Sequence, residues 1–77
     1  MPDPIIETVA AVFNVHRDQI DEHTGPGKLD GWDSVGHLDL VMAIEHRFGV
    51  QLTLDESTSL SSVADIRRVL RDKGAAT

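Results

Sequence analysis

The 77-residue sequence contains no cysteine, which excludes thiolate metal sites and a cysteine nucleophile. Histidine, aspartate and serine are then the residues to consider for acid-base, metal or nucleophilic chemistry. Of the four histidines, His37 and His46 lie on one predicted helix and are nine positions apart. That spacing is too wide for two side chains to bind one metal ion together. We therefore interpret the histidines as surface residues and expect no metal site.

The pair Asp33-Ser34 ends a loop and begins an amphipathic pattern. Both residue types are common at helix starts, so the plain interpretation is Asp33 as an N-cap and Ser34 in the first turn. A Ser-His-Asp hydrolase needs a concave site with an oxyanion hole, and Ser34 near His37 on one helix offers neither. We predict no catalytic residue. The free amides and positive dipole end of a helix would, however, stabilise a phosphate attached to Ser34.

Four helices are predicted to position these residues. The first and second are separated by a long loop containing Gly25-Pro26-Gly27, which we interpret as an ordered crossover pinned by spaced apolar residues. The predicted helices span about 4–13, 34–48, 54–60 and 62–73. The predicted fold class is therefore all-α, a small four-helix bundle with three long helices and one short one, forming a single domain over residues 1–77.

The second helix is predicted to be the central one, because its apolar residues extend around most of its circumference. Val35, Leu38, Val41 and Met42 follow the three-four spacing of a buried face. Gly49 is expected to end this helix in a left-handed conformation. Thr53 with Glu56, and Ser62 with Asp65, are spaced as capping boxes for the third and fourth helices.

The net charge of -6 is unevenly distributed along the chain. Residues 1–56 hold eleven acids and three bases, whereas residues 57–77 hold two acids and four bases. An acidic body repels nucleic acid and anionic lipid and suits basic protein partners. No apolar run is long enough to span a membrane and no signal peptide is recognisable, so we expect a cytoplasmic monomer.

The stretch "DSVGHLDLVMAIEHRFGVQL" resembles the Asp-Ser-Leu motif and second helix of acyl carrier proteins. The similarity runs without a gap from about Leu29 through Val63. It implies that a phosphopantetheinyl transferase attaches 4'-phosphopantetheine from coenzyme A to Ser34, and that this arm carries acyl groups as thioesters. It also implies a non-catalytic carrier in which Val35 stands for the usual leucine. Asp33 resembles the motif aspartate that helps to hold a metal ion during the transferase step.

The resemblance further implies a surface that binds the basic docking patches of acyl-loading and synthase enzymes, and a pocket for the acyl chain. The implied partner-binding residues are Asp33, Val35, Asp39, Met42, Glu45 and Asp55. Apart from the resemblance, we interpret Trp32 as an exposed indole that anchors a partner. The implied pocket residues are Leu38, Met42, Leu54 and Leu60. The alternatives are that the acids are merely solvated, that the apolar residues are core, and that Trp32 pins the long loop.

Departures from the fatty acid carriers favour a specialised polyketide, nonribosomal peptide or antibiotic pathway. Gly36, His46 and Arg47 stand where acids are common in those carriers, and Trp32 before the motif is unlike them. One alternative is a peptidyl carrier protein loaded with an amino acid by an adenylating enzyme. Another is a helical interaction module in which Ser34 only begins a helix.

Overall fold

The structure, a computed structural model, describes residues 3–75, and this part of the chain is helical without any strand. The four helices are α1 (Pro4–Phe13), α2 (Ser34–Phe48), α3 (Leu54–Ser59) and α4 (Val63–Asp72), and a single 3₁₀ turn covers Arg17–Gln19. The predicted small all-α bundle is confirmed. None of the helices between residues 3 and 75 is both long and apolar enough to cross a membrane.

Side-chain oxygens begin the helices, because the first amides of a helix have no partner within it. Asp3 accepts hydrogen bonds from the first amides of α1, with Ile5 at 3.0 Å. At α3, Thr53 and Glu56 form a reciprocal capping box, with distances of 2.8 and 3.1 Å between side-chain oxygen and amide nitrogen. Local polar chemistry therefore determines where these two helices start.

The capping box expected at the start of α4 is displaced by one residue. Ser62 accepts from the Asp65 amide at 3.3 Å, as expected. The Asp65 carboxylate, however, binds the amide and hydroxyl of Ser61, at 3.0 and 2.6 Å, rather than the amide of Ser62. Two donors on Ser61 satisfy the carboxylate better than the single amide of Ser62 would.

The core lies between α1, α2 and α4. Its side chains come from one face of each of these helices and from the connecting segments. α1 packs more extensively against α2 than against α4. The buried apolar residues are Ile5, Val9, Ile20, Trp32, Leu40, Val41, Ile44, Leu60, Val63, Ile66 and Leu70. α3 contributes only Ser57 to the buried set, so it lies over the bundle rather than within it.

The expectation that α2 is buried around most of its circumference is wrong. Leu40, Val41 and Ile44 are buried, but Val35, Leu38 and Met42 are 69%, 61% and 62% exposed. The physical reason is length: α2 has 15 residues and α3 has six, or about 22 Å against about 9 Å of helix. The short helix cannot cover the second apolar face of the long one.

The long loop between α1 and α2 is held against the rest of the bundle by backbone and side-chain contacts. The carbonyls of Thr24 and Glu22 accept the Val63 and Ala64 amides of α4, at 2.9 and 3.1 Å. A Cβ at Gly25 would lie 2.0 Å from the carbonyl oxygen of Ser61, so only glycine permits this approach. The loop is therefore an ordered crossover, as interpreted from its spaced apolar residues.

Arg67 of α4 joins the start of α1 to the loop. Its guanidinium binds Glu22 at 2.7 and 2.9 Å and Asp3 at 2.6 Å. These bonds, from Glu22 first and Asp3 second, raise the pKa of Arg67. Partial burial acts to raise the pKa of Asp3, but the hydrogen bonds from Arg67 and from the amides of α1 outweigh it, so that this pKa is lowered.

Replacing Arg67 with methionine, which retains the aliphatic packing, is expected to lower the free energy of unfolding by about 1–2 kcal/mol near pH 7, since charge-assisted bonds are lost at a partly exposed site. Because the folded-state pKa of Asp3 lies below its usual 3.8, this difference is complete above about pH 4 and shrinks as the pH falls through the lower pKa. Urea unfolding at several pH values measures it. Arg68→Met is the control: the exposed Arg68 pairs with the half-buried Asp65 of the same helix, and losing this pair should change stability by less than about 0.5 kcal/mol. Equal losses in both variants would contradict the prediction.

Gly36 lets the loop lie directly on the first turn of α2. A Cβ at this position would lie 1.9 Å from the carbonyl oxygen of Gly31 and 2.9 Å from the Phe13 ring. Gly31 itself has a φ of 89°, a conformation that favours glycine. Glycine at both positions therefore permits the end of the loop to contact the start of α2.

Gly36→Ala is expected to destabilise the fold by about 1–3 kcal/mol, because the overlap with a backbone carbonyl outweighs a gain of up to about 1 kcal/mol in helix propensity. Thermal and urea unfolding measure the change. His46→Ala, at an exposed position of the same helix, is the control and should be neutral or slightly stabilising. A stabilised Gly36→Ala protein would show that the loop does not need this contact.

Candidate functional site

Ser34 is the first residue of α2, and its side chain is exposed. Asp33 precedes it as the N-cap, with its carboxylate accepting the Gly36 amide at 2.9 Å and its carbonyl accepting the His37 amide at 2.8 Å. The hydroxyl therefore stands at a fixed helix end in contact with solvent. Since Asp33 takes the Gly36 amide, a phosphate on Ser34 would face the earlier amides of the turn.

Trp32 is buried, with 1% of its surface exposed, so the expectation of an exposed indole that anchors a partner is wrong. The ring stacks on Phe13 of α1, with centroids 5.2 Å apart and planes at 21°. Its Nε1–H donates to Nδ1 of His37 at 3.0 Å. Trp32 is the pin of the long loop, which was the alternative interpretation, and it fixes the backbone two residues before Ser34.

His37 is a structural residue, and the interpretation of all four histidines as surface residues is wrong at this position. The ring is half-buried beside the indole of Trp32. Its Nε2 lies 2.8 Å from the carbonyl oxygen of Ser57 in α3. The sequence signal was weak, because a histidine five residues after a tryptophan indicates a contact only when the loop geometry is known.

A cleft of about 690 Å³ opens beside Ser34 between the loop, α2 and α3. Three of the four predicted pocket residues line it, namely Leu38, Leu54 and Leu60, whereas Met42 does not. The lining also includes residues that sequence analysis missed: Pro26 and Gly27 of the loop, His37, Ser57 and Thr58. Ser34 and Asp33 stand in the wall of this cleft, so an arm attached to the hydroxyl would begin at the cleft.

Five of the predicted partner-binding residues lie on the surface. The exposed residues are Asp33, which caps α2, then Val35, Asp39 and Met42 of α2, and Asp55 of α3. We call these five residues the α2–α3 surface. Exposed apolar and acidic side chains thus occur together on α2, its cap and α3.

Glu45 differs from the other predicted partner-binding residues. It is half-buried, and its carboxylate accepts the Leu52 amide of the connector to α3 at 2.9 Å. This bond satisfies a backbone donor that has no helical partner. The geometry favours a structural role for Glu45.

Comparison with known proteins identifies relatives that cover most of the chain. The chain is 30% identical over 63 residues to an acyl carrier protein of a Sulfurovum species, covering 82% of this chain and 84% of that protein. It is 29% identical over 68 residues to an acyl carrier protein of Wolinella succinogenes, covering 88% and 90% respectively. No model of a known protein family matches the chain. The extent and identity of these alignments show that the chain belongs to the acyl carrier protein family.

Proposed function

We propose that this protein is a non-catalytic acyl carrier whose Ser34 bears a 4'-phosphopantetheine arm. The observation that carries the proposal is the exposed Ser34 hydroxyl at the start of α2, in the wall of a cleft of about 690 Å³. Membership of the acyl carrier protein family supports the same function. Three leucines line the cleft beside this hydroxyl and suit an apolar chain.

The residues around Ser34 fit the attachment of a phosphodiester. The oxygen of Ser34 would bond to the phosphorus of the pantetheine phosphate, the nucleotide portion of coenzyme A would leave, and the hydroxyl proton would pass to a base of the transferase. Asp33 is exposed beside the hydroxyl, which suits its proposed part in holding the metal ion of the transferase step. The N-terminal end of α2 favours the negative charge that the product retains.

The attached arm would supply a terminal thiol that holds an acyl group as a thioester. The 77 residues contain no cysteine, so the polypeptide described here brings no thiol of its own. The protein's contribution is to present the cargo. Tethering raises the effective concentration of the cargo at each enzyme that docks on the carrier.

The α2–α3 surface is the proposed docking site for partner enzymes. Val35 and Met42 supply exposed apolar contact area, and Asp33, Asp39 and Asp55 supply negative charge. Basic patches on a phosphopantetheinyl transferase or an acyl-loading enzyme would complement these acids and accelerate encounter.

A specialised biosynthetic pathway is proposed in preference to fatty acid synthesis. The close approach of Gly31 leaves no space for a side chain at position 36, so the acid common there in fatty acid carriers is excluded from this fold. The first turn of α2 is therefore less acidic here than in fatty acid carriers. Partners selected for this face would differ from those of fatty acid synthesis.

Incubation of the apo protein with coenzyme A and a broad-specificity phosphopantetheinyl transferase is expected to add the mass of one phosphopantetheinyl group. Intact-mass analysis measures the gain, and Ser34→Ala should abolish it. Ser62→Ala, which removes another helix-starting serine, is the matched control and should leave the gain intact. An unmodified wild-type protein would favour a helical interaction module, and loading of the arm by an amino acid-adenylating enzyme would favour a peptidyl carrier.

Asp39→Lys is expected to slow acyl transfer from a loading enzyme by about five- to tenfold, because a cation on the α2–α3 surface repels a basic patch. Transfer rates at low and high salt measure the effect, which should diminish as salt screens it. Asp72→Lys makes the same change of net charge at an exposed position of α4 and should leave the rate unchanged. If the two variants are slowed equally, overall charge rather than this surface controls docking.

A further inference from the structure

A chain of hydrogen bonds joins the loop, α2 and α3 beside the cleft. Trp32 Nε1–H donates to His37 Nδ1 at 3.0 Å, and His37 Nε2 lies 2.8 Å from the carbonyl oxygen of Ser57. All three residues line the cleft. His37 is therefore the residue through which these bonds connect α2 to both the loop and α3.

The partners of His37 fix the tautomer of its ring. An indole N–H can only donate and a backbone carbonyl can only accept. Both bonds form together only when the imidazole is neutral and carries its proton on Nε2. No other arrangement of one proton satisfies Trp32 and Ser57 at once.

The apolar side chains within α3 do little to hold the helix in place. The helix has six residues, and Ser57 is its only buried side chain, while Leu54 is 79% exposed. A helix of this length has no independent stability in water. Its position therefore depends on Leu60 directly after it, which is buried in the core, and on polar bonds to its neighbours.

The polar bonds of α3 reach two neighbouring helices. Lys73, the C-cap of α4, binds Glu56 at 2.9 Å, and this bond, together with the Thr53 amide, lowers the pKa of Glu56. That pair ties α3 to α4. The bond from His37 to Ser57 ties α3 to α2 on the side of the cleft.

We propose that His37 is a positioning residue that holds α3 against α2 and so sets the width of the cleft in which the acyl chain lies. The part that concerns the acyl chain rests on the proposed carrier function; the positioning of α3 does not. Loss of the imidazole would leave the Trp32 N–H without its acceptor, and the Ser57 carbonyl would keep only the Leu60 amide, at 3.4 Å, as a donor. α3 would then separate from α2, and cargo would lose its protection from solvent.

Hydrogen exchange in the apo protein tests the positioning of α3. In His37→Leu, the amides of α3 and the indole N–H of Trp32, the only tryptophan, are expected to exchange at least tenfold faster. The amides of α1 and α4 should change less than twofold. His37→Gln, which offers an amide donor and acceptor, should restore part of the protection. His46→Leu, at an exposed position of α2, is the matched control and should change nothing.

Several results would overturn the positioning role. Unchanged exchange of α3 in His37→Leu would do so, as would a uniform acceleration across all helices. Should His37→Leu fail to fold, nitrogen chemical shifts of the wild-type imidazole at pH 8 still decide the matter. A proton on Nε2 supports the inference, and a proton on Nδ1 overturns it.

Thioester cleavage by hydroxylamine tests the effect on cargo. With an octanoyl group on the arm, His37→Leu is expected to be cleaved at least threefold faster than the wild type. With an acetyl group, which is too short to occupy the cleft, the two proteins should react equally. Equal rates with octanoyl would overturn the effect on cargo. Failure of Ser34 to accept the arm would instead refute the carrier function, and the apo exchange data would still decide the role of His37.

Discussion

Burial of the Trp32 indole is the constraint on which the arrangement of this protein depends. Its stacking on Phe13 and its bond to His37 hold the end of a long loop against α1 and α2. The paired glycines Gly31 and Gly36 allow the backbones to approach closely enough for this contact. Ser34 follows two residues after the indole, so its hydroxyl is placed by an interaction in which it takes no part.

The shortness of α3 connects the fold to the proposed function. Six residues leave much of α2 uncovered, and this produces both the cleft beside Ser34 and the exposed apolar side chains of the α2–α3 surface. A longer third helix would cover more of the apolar surface of α2 and stabilise the bundle. It would also remove the space for a cargo and the surface on which partners are proposed to dock. The bundle is therefore less stable than a fully covered one would be, and the cleft and the α2–α3 surface stay accessible.

Local chemistry was predictable from the sequence, and long-range contacts were not. The cap residues Asp3 and Thr53 were recognisable because they satisfy amides a few positions away. The exposed face of α2 was misread, because its apolar spacing is the same whether a neighbour covers it or not. The role of His37 depends on Ser57, twenty positions away, and no periodic pattern reports such a contact. Resemblance to a family, rather than spacing, indicated Ser34 and the leucines of the cleft.

The chain's single tryptophan, with no tyrosine present, has a spectroscopic consequence. When the protein is excited at wavelengths longer than phenylalanine absorbs, all of its ultraviolet emission comes from one indole. This indole is stacked on Phe13 and bonded to an imidazole beside the cleft. Its colour and lifetime therefore respond to what happens next to Ser34 rather than to the protein as a whole. The same buried ring that orders the loop is a built-in fluorophore for this region of the protein.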